Sequence, residues 1–207
     1  MMRGKFITLE GMDGAGKSTH LAWIPAFLQT RGVQVKLTRE PGGTPLGEQL
    51  RELMLDKHQR LHPDTEALLM FAARREHMDK VILPALNAGI WVVCDRFTDA
   101  TYAYQSSGSG LPWVRIEALE TWVQGDLQPD LTLYFDVPPE VGEARSRSVR
   151  EPDRFEQEGR RFFDRVRDGY LRRAHEHSNR IALIDATATL EKVKQSSEYI
   201  ILTNCFK

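Results

Sequence analysis

The run Gly11-Met12-Asp13-Gly14-Ala15-Gly16-Lys17-Ser18 is the stretch of this chain whose residue types and spacing most plainly do chemistry. It fits G-x-x-x-x-G-K-[ST], a loop whose glycines let backbone N–H groups converge on phosphate oxygens with no side chain in the way. At that spacing Lys17 reaches the outer phosphates of a nucleoside triphosphate and the Ser18 hydroxyl ligates Mg²⁺, with Thr19 next in line. Such a loop needs a buried strand before it and a helix after it, because the helix N-terminus adds partial positive charge. Both are legible here: the apolar run Phe6-Ile7-Thr8-Leu9 precedes the loop, and a helical pattern runs from Lys17 to about Thr30, closed by Gly32, with Pro25 inside it as a point where a kink is expected.

Three further charged positions stand out. Asp95-Arg96 closes an almost wholly apolar run, residues 90–95, of the kind that makes a central parallel strand. The acid there can hold Mg²⁺-bound water and the arginine can clamp a phosphate, or the two can form a buried ion pair. Arg74 falls on an apolar helical stripe that includes Ala67, Phe71, Met78, Val81, Ile82 and Ala85. Either it snorkels past the edge of the core or it meets a partner there, and a ligand would serve. Residues 145–173 are densely basic, beginning Arg145, Arg147, Arg150, Arg154. A run of this kind is a solvated face or, late in a strand–helix repeat, a lid over phosphates.

The elements that must position these residues alternate. Strands are expected at residues 6–10, 33–38, 90–95, 131–136 and 181–185, and helices at 17–30, 46–55, 64–88, 100–105 and 116–123. Ser106-Ser107-Gly108-Ser109-Gly110 should break the fourth helix, and Pro138-Pro139 should open another after the fourth strand. The tail from Lys192 to Lys207 stays unassigned, since Tyr199-Ile200-Ile201-Leu202 suits strand or helix. The pattern predicts an α/β fold: a doubly wound, five-stranded parallel sheet flanked by helices on both faces, its loops gathered at the carboxyl edge.

Composition removes several classes. At 207 residues the chain suits a single domain, and 28 basic against 29 acidic residues give a charge of −1, with no field to attract nucleic acid or an anionic membrane. Cys94 and Cys205 make no disulfide framework, so a reducing cytoplasm is the expected setting. The sequence has no membrane-length apolar run, no signal-peptide core, no H-E-x-x-H, no C-x-x-C, and no N-K-x-D guanine motif.

Beyond the phosphate loop, the motifs Thr38-Arg39-Glu40-Pro41-Gly42-Gly43-Thr44, Phe71-Ala72-Ala73-Arg74, Asp95-Arg96-Phe97 with Ala103-Tyr104-Gln105, Pro129-Asp130-Leu131-Thr132-Leu133, and Asp153-Arg154-Phe155-Glu156-Gln157-Glu158 together resemble the bacterial thymidylate kinases. The resemblance runs from Phe6 to about Leu190. It implies the P-loop nucleoside monophosphate kinase fold in one domain, 1–207, with a short lid at about 146–156, and transfer of the γ-phosphoryl of ATP to thymidine 5′-monophosphate (dTMP). It also implies Mg²⁺ dependence, a homodimer, and the subtype whose phosphate loop has no basic side chain (Ala15 here) and whose lid supplies the catalytic arginine.

Carried over by position, the resemblance has Asp13 accept the sugar 3′-hydroxyl and Arg51 and Arg96 hold the acceptor phosphate. Arg74 donates to the thymine 4-oxo group, Thr101 and Gln105 read the rest of the base, Glu40 orients phosphates or metal-bound water, and Arg145 lies along adenine. The chain departs from the family where an aromatic usually sits four residues before the base-reading arginine: Met70 is there and Phe71 is one later, so either can face thymine. Ala100 replaces a frequent serine, and Val149-Arg150 stands where the lid usually reads Arg-Gly, which makes Arg150 the catalytic candidate beside Lys17 and Arg96. The rival readings are another P-loop nucleotide or small-molecule kinase and, more distantly, a non-enzymatic ATP-dependent switch.

Overall fold

The computed structural model describes residues 3–146, Phe155 and 158–206. Arg147, Arg150 and Arg154, and with them most of the expected lid, lie outside the described residues.

β1 (Phe6–Glu10) is buried along its whole length, as a strand covered on both faces must be. It lies at the centre of a five-stranded parallel sheet with β2 (Val35–Arg39), β3 (Trp91–Asp95), β4 (Leu131–Asp136) and β5 (Ile181–Asp185) in the order β2-β3-β1-β4-β5. The chain moves to one side of β1 for β2 and β3, then crosses to the other for β4 and β5. That reversal opens a crevice at the carboxyl ends of β1 and its neighbours. The register sets Leu9 beside Asp95, Glu10 beside Tyr134 and Asp136 beside Asp185. Each strand thus delivers a charged last residue (Glu10, Arg39, Asp95, Asp136, Asp185) to the same edge.

α1 (Lys17–Gln29) follows the phosphate loop and contains Pro25. α2 (Pro45–Leu55) is capped by the Thr44 hydroxyl, which accepts from Gly47 N at 3.0 Å. The long helix expected at 64–88 is instead three pieces: α3 (Pro63–His77), a wide π turn (Met78–Ile82) and α4 (Leu83–Asn87). Pro84 explains the interruption, because it has no N–H for the preceding turn and its ring crowds the carbonyl below.

A second departure follows β3. The helix expected at 100–105 begins earlier, as α5 (Thr98–Thr101), and continues as a π-helix through Tyr102–Gly108. The serine–glycine run ends it, but only at its third residue: Gly108 is the last helical position and Ser109 caps it. Gly108 is there for packing: a Cβ would come within 2.7 Å of the Phe162 ring on α8 (Arg160–Glu176). Gly169 on α8 answers it, since a Cβ there would meet the Ser107 hydroxyl at 2.5 Å.

α6 (Trp113–Gln124) and α7 (Pro139–Ser146) complete the middle of the chain, and Pro139 opens α7 as expected. The tail is α9 (Leu190–Cys205), capped by Thr189, and its stripe Val193, Ser197, Ile201, Cys205 recurs every fourth residue and is buried. Cys94 and Cys205 are free and buried. No helix among the described residues is long and apolar enough to cross a membrane.

Asp99, in α5, is wholly buried and receives Arg173 Nε at 2.8 Å and Arg180 at 2.7 and 2.9 Å. Burial would raise its carboxyl; the two guanidinium groups outweigh that and hold it far below the usual carboxylate range. This knot ties α5 to α8 and to the start of β5, and so fixes the root of the π-helix that follows.

Candidate active site

At the carboxyl edge a cavity of ≈ 590 Å³ opens between the phosphate loop, β2–α2, α3, β3 and the α5–π segment. Gly11, Gly14 and Gly16 take positive φ, so the loop curls as a side-chain-bearing backbone would not. Lys17, nearly buried, folds back over the loop and donates to Gly11 O at 2.7 Å and Met12 O at 2.9 Å. Burial, reinforced by the Arg96 charge, pushes its amine down to about 8. Ser18 lies beside it in the wall.

Arg96 crosses from β3 toward the loop. It donates to Asp13 Oδ1 at 3.2 Å, to Tyr104 OH at 3.2 Å and to Tyr170 OH at 3.1 Å. It has φ = 65°, the one positive value at a non-glycine among the described residues. Tyr170 in turn donates to Glu10 Oε2 at 2.9 Å, while Phe97 N donates to Glu10 Oε1 at 2.7 Å. Burial, with Asp99 adding its charge, lifts the Glu10 carboxyl to about 8. Asp95 does not pair with Arg96; its Oδ1 is buried without a hydrogen-bond partner.

On the other wall Arg74, 2 % exposed, donates from Nε to Glu40 Oε2 at 2.8 Å and from NH2 to Thr101 Oγ1 at 3.0 Å. It also rests over the Phe71 and Phe97 rings at 4.6 and 4.9 Å. Glu40, in a cis bond to Pro41, is held from the opposite side by His77 Nδ1 at 3.0 Å, and His77 Nε2 meets Thr38 Oγ1 at 2.7 Å. Burial favours a neutral Glu40, yet Arg74 and His77 together keep its carboxyl below its ordinary value. Gln105 donates from Nε2 to Glu66 Oε1 at 2.6 Å. Arg51 donates to Pro41 O at 3.0 Å.

The thymidylate kinase family model matches residues 9–197, running on into α9. A thymidylate kinase of Nitrosomonas europaea is 60 % identical over 201 residues, covering 97 % of this chain and 94 % of the relative. One of Cupriavidus metallidurans is 59 % identical over 202 residues, covering 98 % of this chain and 100 % of the relative. The chain belongs to the thymidylate kinase family. A crystal structure of thymidylate kinase from Ehrlichia chaffeensis shares the fold with a TM-score of 0.78 at 36 % identity, over 97 % of this chain and 98 % of the other.

With the family in view, the expected site residues sort clearly. Asp13, Gly14, Gly16, Lys17, Ser18, Glu40, Arg51, Met70, Arg74, Asp95, Arg96, Thr101, Gln105 and Arg145 line one cavity, as does Ala100. Gly11, Met12 and Ala15 form the buried underside of the loop, and Thr19 is exposed on α1. Phe71 is a correction: it packs with Tyr102, Leu111 and Ile116 in a core cluster, while Met70 occupies the cavity wall. Of the two readings of Asp95-Arg96, the buried ion pair does not form, since Arg96 pairs with Asp13.

Glu66, His77, Tyr104 and Tyr170 also hold the site together, through Gln105, Glu40 and Arg96. Glu66, Met70 and Arg74 recur every fourth residue and so share one face of α3, a signal present in the sequence. Tyr170 carried none, because its role depends on how α8 packs.

Mg²⁺ can be tested against the donors. Asp95 supplies a buried carboxylate oxygen that has no protein partner, and Ser18 supplies a hydroxyl in the same wall. No group of three His, Cys, Asp or Glu ligands exists among the described residues. One carboxylate oxygen and one hydroxyl fit a cation whose other ligands are phosphate oxygens and water.

Proposed function

We propose that the chain transfers the γ-phosphoryl of ATP to dTMP, giving ADP and dTDP, in one continuous cavity. The observation that carries this reading is the shared wall: phosphate-loop residues Lys17 and Ser18 open onto the same space as Arg74, Gln105 and Arg96. A non-enzymatic switch has no use for that second set.

The acceptor phosphate is already an anionic nucleophile, so alignment and charge neutralisation suffice. Arg96 and Arg51 hold the acceptor phosphate, and Asp13 receives the sugar 3′-hydroxyl. Lys17 neutralises charge on the outer phosphates, and Arg145, which donates to Ala186 O at 2.9 Å, forms the adenine side. Ser18, and Asp95 through water, would hold Mg²⁺, which would supply further neutralisation of the phosphates. Arg74 donates to the 4-oxo group, Thr101 and Gln105 complete the base contacts, Met70 packs on the ring, and Glu40 fixes Arg74. Arg150 provides the lid cation.

A second copy of the chain is the proposed partner. α3 and α6 turn Leu68, Val114 and Trp122 outward, the last 80 % exposed. Two cysteines, both buried and far from a disulfide framework, suit the cytoplasm.

The test is ADP release from ATP and Mg²⁺ with each nucleoside monophosphate in turn. dTMP is expected to be the preferred acceptor; turnover that ignored every monophosphate would restore the switch reading.

A further inference from the structure

α3 and the α5–π segment are joined across the cavity by two side-chain bonds: Arg74 to Thr101 at 3.0 Å, and Gln105 to Glu66 at 2.6 Å. The second bond has a directional consequence. Glu66 and Gln105 are both buried, at 3 % and 0 % exposure, so neither is reoriented by solvent. A carboxylate can only accept, so the Gln105 –NH₂ must face Glu66. That leaves the Gln105 Oε1, buried and without a hydrogen-bond partner, as the acceptor it offers the cavity it lines. Beside it, Arg74 uses three N–H groups on Glu40, Gln124 and Thr101, and a guanidinium has more to give.

We propose that Glu66 is a specificity-determining positioning residue, locking the Gln105 amide so that it presents an acceptor beside the Arg74 donor. That pair matches the N3–H and 4-oxo groups of a thymine or uracil ring. It mismatches cytosine, which offers an acceptor at N3 and a donor at C4. Without Glu66 an amide can turn over and serve either base, so Gln105 by itself does not choose. This assignment rests on the dTMP-kinase reading above.

The test compares kcat/KM for dTMP and for deoxycytidine monophosphate in three proteins, with thermal unfolding as the check on folding. Glu66→Gln puts an amide opposite an amide and frees Gln105 to turn; the dTMP preference is expected to fall about tenfold or more, the scale of one mispaired buried polar group. The exchanged variant E66Q/Q105E is expected to recover the preference. A carboxylate at position 105 presents acceptors whichever way it turns, and the introduced amide can donate to it. A purely structural role for Glu66 would not be rescued in the ratio by this exchange. An unmutated protein that discriminates, with a Glu66→Gln preference unchanged or an exchanged variant that stays unselective, overturns the role of Glu66 alone. An unmutated protein that phosphorylates neither nucleotide, or both equally, overturns the acceptor reading together with this assignment.

Discussion

Arg74 and Glu40 form a buried ion pair, Nε to Oε2 at 2.8 Å, with 2 % and 5 % of their side chains exposed. An arginine on the apolar stripe of α3 is thereby reconciled with the core: its charge is balanced by the protein, and its guanidinium is held steady at the cavity wall. The pair is asymmetric. Glu40 keeps His77 if Arg74 is removed, whereas Arg74 has no other ion-pair partner among the described residues. Glu40→Ala is therefore expected to cost roughly 3–5 kcal/mol of stability, the range for stranding one buried charge. Arg74→Met should cost less, and a double-mutant cycle in urea should show coupling of about 0.5–3 kcal/mol. Equal single costs with no coupling would count against the asymmetry.

Lys17→Met is expected to lower kcat about 10²-fold or more, as for comparable electrostatic donors, with little change in melting temperature. A variant keeping more than about a tenth of kcat contradicts that role. The pH dependence has a definite sign. The Lys17 amine sits at about 8, so it is charged below that pH and loses its charge above it. kcat/KM for ATP should then fall as pH rises through 8, and Lys17→Arg should remove that inflection because arginine stays charged.

Asp99 is expected to contribute to the acid limit of the fold, beside the depressed Glu40 and Asp136. Its carboxyl is depressed in the folded protein from an ordinary 3.8, so its contribution is complete above that pH and lost as pH falls below it. Asp99→Asn should cost roughly 3–5 kcal/mol at neutral pH and flatten the loss of stability below pH 3.8. Circular dichroism titration of both proteins measures it. Parallel acid limbs would exclude Asp99 as a titrating group.

Arg150→Ala should lower kcat about 10²-fold or more, the scale on which such arginines act, with ATP affinity changed far less. If Arg147→Ala gives that loss and Arg150→Ala stays near the unmutated rate, the one-residue displacement read from Val149-Arg150 is wrong.

Arg96 holds a left-handed backbone, φ = 65°, that favours glycine. Arg96→Gly and Arg96→Ala both delete the arm, so their difference isolates the backbone. The glycine variant should be the more stable of the two by roughly 1 kcal/mol, and both should be inactive. An alanine variant of equal or greater stability would show that the strain is not real.

Much of this was legible in the sequence because it is local. The loop, its strand and its helix are read from neighbouring residues, and the apolar runs of β1, β3 and β4 follow from burial on both faces. What escaped depends on contacts far apart in the chain. Gly108 looks like punctuation until Phe162 is placed against it. Met70 and Phe71 lie four and three residues before Arg74, spacings that both share its helix face, so which one faces the cavity depends on the packing of Phe71 against Tyr102, Leu111 and Ile116. Pro84 was visible, but a wide turn cannot be told from a kink by composition.

The two buried thiols give this protein built-in clocks. Cys94 lies in a central strand and Cys205 in the last turn of α9, and burial raises both above the ordinary thiol range. Neither can react with a thiol reagent until its own surroundings open. The rate at position 94 times the parting of the sheet, and the rate at 205 times the peeling of the C-terminal helix. Their ratio therefore reports whether the chain comes apart all at once or from its end.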